Sequence, residues 1–216
     1  MSEAREEVLA RVRAAGGDGA AGRGGERIPP LYRRTSEAPA EEIVALFAER
    51  VADYRASVST VVEREVPAAL AEACTRHGAK RLAVPADLPS EWRPEGPELV
   101  EDADLSHEEL GALDGVITGC ALAIAETGTF VLDSGPAQGR RAITLLPDLH
   151  LCVVREEQIV GLVPEALDRL REAVQAEGRP VTFVSGPSAT SDIELERVEG
   201  VHGPRKLEVI IVSASR

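Results

Sequence analysis

The sequence predicts a layered α/β domain with a predominantly parallel sheet. From residue 40 onward, stretches with apolar residues every three or four positions alternate with short apolar runs. Those runs, such as 81–84, 115–118 and 149–154, have the length and β-branched content of buried strands. Strands alternating with helices build layered sheets of this kind. Aromatics make up only 3% of the chain, so a composition that is 44% hydrophobic must build its core from Val, Leu, Ile and Ala.

Taken in order, residues 2–14 suit a short helix capped by Ser2, with Glu3, Glu6 and Glu7 at its N-terminal end and Val8, Leu9 and Val12 as a narrow apolar edge. The segment 16–25 is glycine-rich and lacks an apolar anchor. Residues 1–39 are therefore read as an N-terminal helix with a flexible arm, and 40–216 as the folded α/β domain. Ile43, Phe47, Val51, Tyr54 and Val58 form one helical stripe, after which a short strand begins near 59–62. Val66, Ala69, Leu70, Ala73 and Cys74 mark a second helix, stopped by Gly78. His77 falls in its last turn, where positive charge suits the helix dipole.

Residues 81–84 read as a strand, Trp92 as a lid or edge of that layer, and 99–105 as too acidic for a buried strand. Ser106 caps a short helix, with Glu109 as its capping-box partner and His107 solvated. Strand character returns at 115–119, 130–132 and 149–154. Val163, Leu167, Leu170 and Val174 form the buried stripe of a last helix, ended by Gly178. Apolar runs at 181–184 and 207–212 then bracket a long polar connection and are expected to enter the same sheet.

The totals exclude several functions. A formal net charge of −13 argues against nonspecific nucleic-acid binding and favours a cationic partner surface. No apolar run reaches the ~20 residues of a membrane-spanning helix, and the acidic N-terminal segment is unlike a signal peptide, so the protein is expected to be cytoplasmic. Cys74, Cys120 and Cys152 are isolated, which is too few for a four-thiolate iron–sulphur site and unlike a disulfide scaffold. No GxGxxG, phosphate-loop or HExxH pattern is present, so no metal site is expected.

Candidate site residues concentrate in the loops. In the long connection, Ser188, Thr190 and Ser191 follow Gly186–Pro187, and a tight turn there presents backbone N–H groups beside hydroxyls, a setting for a small carboxylate or phosphate. Asp192 caps the loop's own donors, and His202, in Gly200–Val201–His202–Gly203–Pro204, can bind or transfer a proton near neutral pH. Earlier, Gly128 allows a bend that displays Glu126, Thr127 and Thr129 at a sheet edge. Glu126 can serve as general base, nucleophile or ligand-orienting acceptor, or simply pair with Arg140 or Arg141. The two arginines can clamp an anion bidentately, or lie solvated. His150 reads as a satisfied structural histidine. Ligands of such sheets gather outside strand ends, where the loops 125–129 and 185–192 can converge.

Four blocks carry a resemblance. Ile124–Ala125–Glu126–Thr127–Gly128–Thr129, Leu146–Pro147–Asp148–Leu149–His150, Gly186–Pro187–Ser188–Ala189–Thr190–Ser191–Asp192–Ile193–Glu194 and Gly200–Val201–His202–Gly203–Pro204 resemble the LUD-domain proteins in order and spacing. The likeness spans 40–212. It implies a three-layer α/β/α fold like that of the NagB/RpiA/CoA-transferase group. It also implies an accessory part in cytoplasmic oxidation of L-lactate to pyruvate, beside iron–sulphur lactate-utilization proteins. Iron–sulphur clusters are then expected in those partners and no cofactor in this chain. The fold analogy leaves a second function open, a transferase or isomerase acting on a small carboxylate, sugar phosphate or CoA thioester.

Overall fold

A computed structural model describes residues 3–16, 32–191, 197–199 and 203–214. The chain divides into two units, Met1–Arg33 and Arg34–Arg216. The first contains helix α1 (Glu3–Gly16), on which Val8, Leu9 and Val12 are exposed. Everything that follows concerns the second.

Helix α2 (Ala40–Asp53) buries Phe47 and Val51. The stripe expected to run through Tyr54 and Val58 stops sooner, because Arg55 takes a left-handed backbone (φ 67°) that turns the chain into β1 (Ser57–Val62). Tyr54 is left half-exposed. Helix α3 (Val66–His77) carries Pro67 in its first turn and ends at Gly78 in the left-handed conformation. Strand β2 (Arg81–Val84) follows, then β3 (Glu98–Glu101), whose acidic ends place it at the sheet edge instead of excluding it from the sheet. Helix α4 (His107–Gly111) has the expected capping box: Glu109 N–H donates to Ser106 Oγ at 3.2 Å, and Ser106 N–H to the Glu109 carboxylate at 2.8 Å.

Strands β4 (Gly115–Thr118), β5 (Leu122–Ile124), β6 (Thr129–Leu132), β7 (Leu149–Arg155) and β8 (Ile159–Val160) come next. Helix α5 (Val163–Glu177) buries Ala166 and Leu170, while Leu167 and Val174, expected inside, are exposed. Strands β9 (Thr182–Val184), β10 (Ala189–Ser191), β11 (Arg197–Glu199) and β12 (Lys206–Ser213) complete the chain.

Six strands in the order β1-β12-β7-β4-β2-β3 form a sheet that is parallel throughout. A second sheet, β8-β5-β6-β9, is mixed, and β10 and β11 pair as an antiparallel hairpin within the long connection. The runs at 181–184 and 207–212 therefore enter different sheets, contrary to the sequence expectation. β9 pairs antiparallel with β6 instead.

Strand alternation separates the layers. Leu149, Leu151 and Val153 of β7, with Ile210 and Val212 of β12, pack on Val66, Leu70, Ala73 and Cys74 of α3. Cys152 and Val154, with Val209 and Ile211, pack on Phe47 and Val51 of α2 and on Ala123 and Phe130 of the second sheet. The far face of that sheet, Leu122, Ile124 and Val131, is covered by Ala166 and Leu170 of α5. Ahead of α2, Arg34 pairs with Asp168 at 3.1 Å and Ser36 N–H donates to Glu165, which ties residues 34–39 to α5.

The β5–β6 turn sits hard against α2. Gly128 has φ 58°, and a Cβ there would lie 2.7 Å from the Arg50 carbonyl carbon. Gly128→Ala should therefore cost about 2–4 kcal/mol, combining left-handed strain with overpacking. Urea unfolding reads this directly, and an unchanged midpoint would show that α2 yields to the methyl group.

Candidate functional site

A cavity of about 230 Å³ opens beside the amino ends of β7 and β12, against β9. The segment ahead of β7 contributes Arg141 and Thr144, β7 itself His150, the β9 segment Thr182 to Gly186 and then Ser188, and the lead into β12 Gly203, Pro204 and Leu207. Among these described residues Arg141 is the only permanently charged one. The two halves of the long connection meet here. Ser188 N–H donates to the Pro204 carbonyl at 2.8 Å, which consumes one of the backbone donors expected to face an anion. Gly186 (φ 100°) abuts Tyr54, where a Cβ would lie 2.7 Å from the tyrosine Cβ.

Arg141 stands in a 3₁₀ turn, Arg141–Thr144, and donates through one guanidinium nitrogen to the Thr144 carbonyl at 2.9 Å and its hydroxyl at 2.8 Å. It pairs with no carboxylate among the described residues, and burial holds its pKa below the usual arginine value. A partly buried guanidinium without a counter-charge is poorly solvated and attracts an anion. His150 is 2% exposed, and its Nε2 lies 2.7 Å from Thr118 Oγ1. The Phe130 ring packs nearly perpendicular to the imidazole at a centroid distance of 5.5 Å. Burial, then the charge of Arg141, push its pKa down to about 3, so the imidazole is neutral at physiological pH.

The structure brings some of the sequence candidates together and separates others. Arg141, Gly186 and Ser188 line the cavity. Thr127 and Thr129 reach it through a hydroxyl chain: Thr127 Oγ1 donates to Thr129 Oγ1 at 2.8 Å, and Thr129 Oγ1 lies 2.6 Å from Ser185 Oγ of the lining. Gly128 faces Arg50 instead. Glu126 is exposed and outside the lining, with its N–H on the Gly161 carbonyl at 3.1 Å.

Arg140 turns away from Arg141 and grips Asp102, at 2.7 and 2.8 Å, together with the Leu105 carbonyl. The Asp102 side chain is 5% exposed, and the Arg140 guanidinium holds its carboxyl below the usual range. Thr190 and Ser191 lie on strand β10, while Asp192 and His202 lie outside the described residues. Sequence reasoning missed His150 and Thr144 as lining groups, and placed Ser185 only at the start of its candidate loop. A polar residue in an otherwise apolar buried strand was the available signal for His150.

The remaining polar clusters look structural. Glu208, 2% exposed, is held by Arg76 and by His77 Nε2 at 3.0 Å. His77 thus serves a buried carboxylate as well as ending α3. Cys74, Cys120 and Cys152 are free and buried; burial raises Cys74 to about 11 and Cys152 well above the usual thiol value.

The family described as the LUD domain matches residues 32–212. The chain belongs to the LUD-domain family. Among relatives of this LUD protein, lactate utilization protein C of Deinococcus radiodurans is 47% identical, with 98% of this chain and 96% of that one covered. Lactate utilization protein C of Bacillus subtilis is 28% identical over 88% of each. A crystal structure described as a DUF162 family protein from Deinococcus radiodurans superposes with a TM-score of 0.71 at 45% identity, covering 81% of this chain and 99% of that one. Its likeness and the parallel sheet flanked by helices agree with the α/β fold that the sequence blocks imply.

Proposed function

We propose that this LUD protein takes part in lactate utilization as an accessory subunit, working beside iron–sulphur proteins and holding a small carboxylate in the Arg141 cavity. The names of its relatives support the process. The observation that carries the site is Arg141, a partly buried guanidinium in a cavity of mixed polar and apolar lining, with no carboxylate partner among the described residues. One such charge balances a monocarboxylate better than a doubly charged phosphate. The volume, below the roughly 300 Å³ at which drug-sized pockets begin, suits an acid of few atoms.

The cysteines support the division of labour. Cys74 and Cys152, held protonated by burial, are poor cluster ligands, so electrons would pass through the partners. Glu126, on which a transferase or isomerase reading depends, stands outside the cavity. The test is reconstitution of L-lactate oxidation from purified iron–sulphur partners with and without this chain. Lactate-dependent electron flow should need the chain, and the proteins should co-purify. Full activity without it, and no co-purification, would reject the accessory role.

A further inference from the structure

We infer that the cavity selects 2-hydroxy and 2-oxo monocarboxylates by two contacts, the carboxylate on Arg141 and the 2-oxygen on the imidazole of His150. This rests on the reading of the cavity as a carboxylate site and adds what the acid must carry. Arg141 supplies the charge but cannot tell lactate or pyruvate from propionate, since all three present the same carboxylate.

His150 supplies the discrimination. His150 lines the cavity, its Nε2 is engaged by Thr118 Oγ1, and Nδ1 makes no hydrogen bond among the described residues. A neutral imidazole has one donor nitrogen and one acceptor, and a threonine hydroxyl can play either role by rotating. When Thr118 accepts from Nε2, Nδ1 is an acceptor suited to a 2-hydroxyl. When Thr118 donates to Nε2, Nδ1 carries the proton and suits a 2-oxo group. The same site therefore takes both oxidation levels of one acid without a change of net charge. A protonated histidine would lose that duality, and the buried position beside Arg141 opposes protonation.

The experiment is isothermal titration calorimetry of the full chain with L-lactate, pyruvate and propionate. Lactate and pyruvate should bind about tenfold more tightly than propionate, the worth of one hydrogen bond of about 1.4 kcal/mol. Thr118→Val, which removes the bond to the ring without touching the lining, should shrink that preference while propionate binding is kept. Equal binding of all three acids by the parent overturns the two-contact site and leaves Arg141 as a plain carboxylate site. No binding of any acid overturns both readings. The parent comparison needs no variant, so a misfolded Thr118→Val cannot obscure the answer.

Discussion

Arg141→Ala and Arg140→Ala are expected to give opposite phenotypes, although the residues are adjacent. Replacing Arg141 should weaken lactate and pyruvate binding by about 30- to 100-fold, the worth of a charge-assisted contact of about 2–3 kcal/mol. Its Tm should barely move. Among the described residues Arg141 loses only bonds to Thr144, and removing a guanidinium that burial disfavours offsets that loss. Replacing Arg140 should leave affinity alone and lower the Tm by roughly 5 °C, because it strands the buried Asp102 carboxylate. Calorimetry and thermal melts on the pair decide the matter. Equal ligand binding by Arg141→Ala and the parent would remove the anion site, whereas a ligand defect confined to Arg140→Ala would place it on the other face of the turn.

The second large effect is on stability against pH. The unfolded chain takes up a proton on His150 below about 6.5, whereas the folded chain resists until about 3. Between those values the unfolded state holds more protons, so His150 favours folding fully above pH 6.5. That contribution is lost as pH falls, by up to about 1.4 kcal/mol per pH unit, and levels off below pH 3. Urea midpoints at pH 7, 6, 5 and 4 should therefore fall more steeply for the parent than for His150→Phe, whose ring cannot titrate. Parallel slopes would mean that His150 ionises in the folded protein as it does in water. Affinity should stay flat from pH 6 to 8, where neither Arg141 nor His150 changes charge.

Local rules made much of the fold legible. The capping box at Ser106 and Glu109 and the helix stops at Gly78 and Gly178 each follow from a few neighbouring residues. What pattern reading misplaced was decided by distant partners. The exposure of Leu167 and Val174 depends on how much of α5 the small second sheet can cover. The division of 181–184 and 207–212 between two sheets depends on β6 accepting β9 as its neighbour. The site was half legible for the same reason. Arg140 and Arg141 are indistinguishable as a dipeptide, and only Asp102, 38 residues earlier, claims one of them. His150 gained a cavity because residues 182–188 and 203–207, distant in the chain, meet beside it, which no spacing records.

The strand order has a consequence for synthesis. β12 comes last in chain order among the described strands of this sheet, yet it lies between β1, the first of them, and β7. A nascent chain emerging from the ribosome exposes β1 without a neighbour and β7 with one open side until β12 clears the exit tunnel. The sheet can close only after β12 has emerged. The unfinished chain presents two bare strand edges for the whole time between, an interval in which a holding chaperone has an obvious substrate.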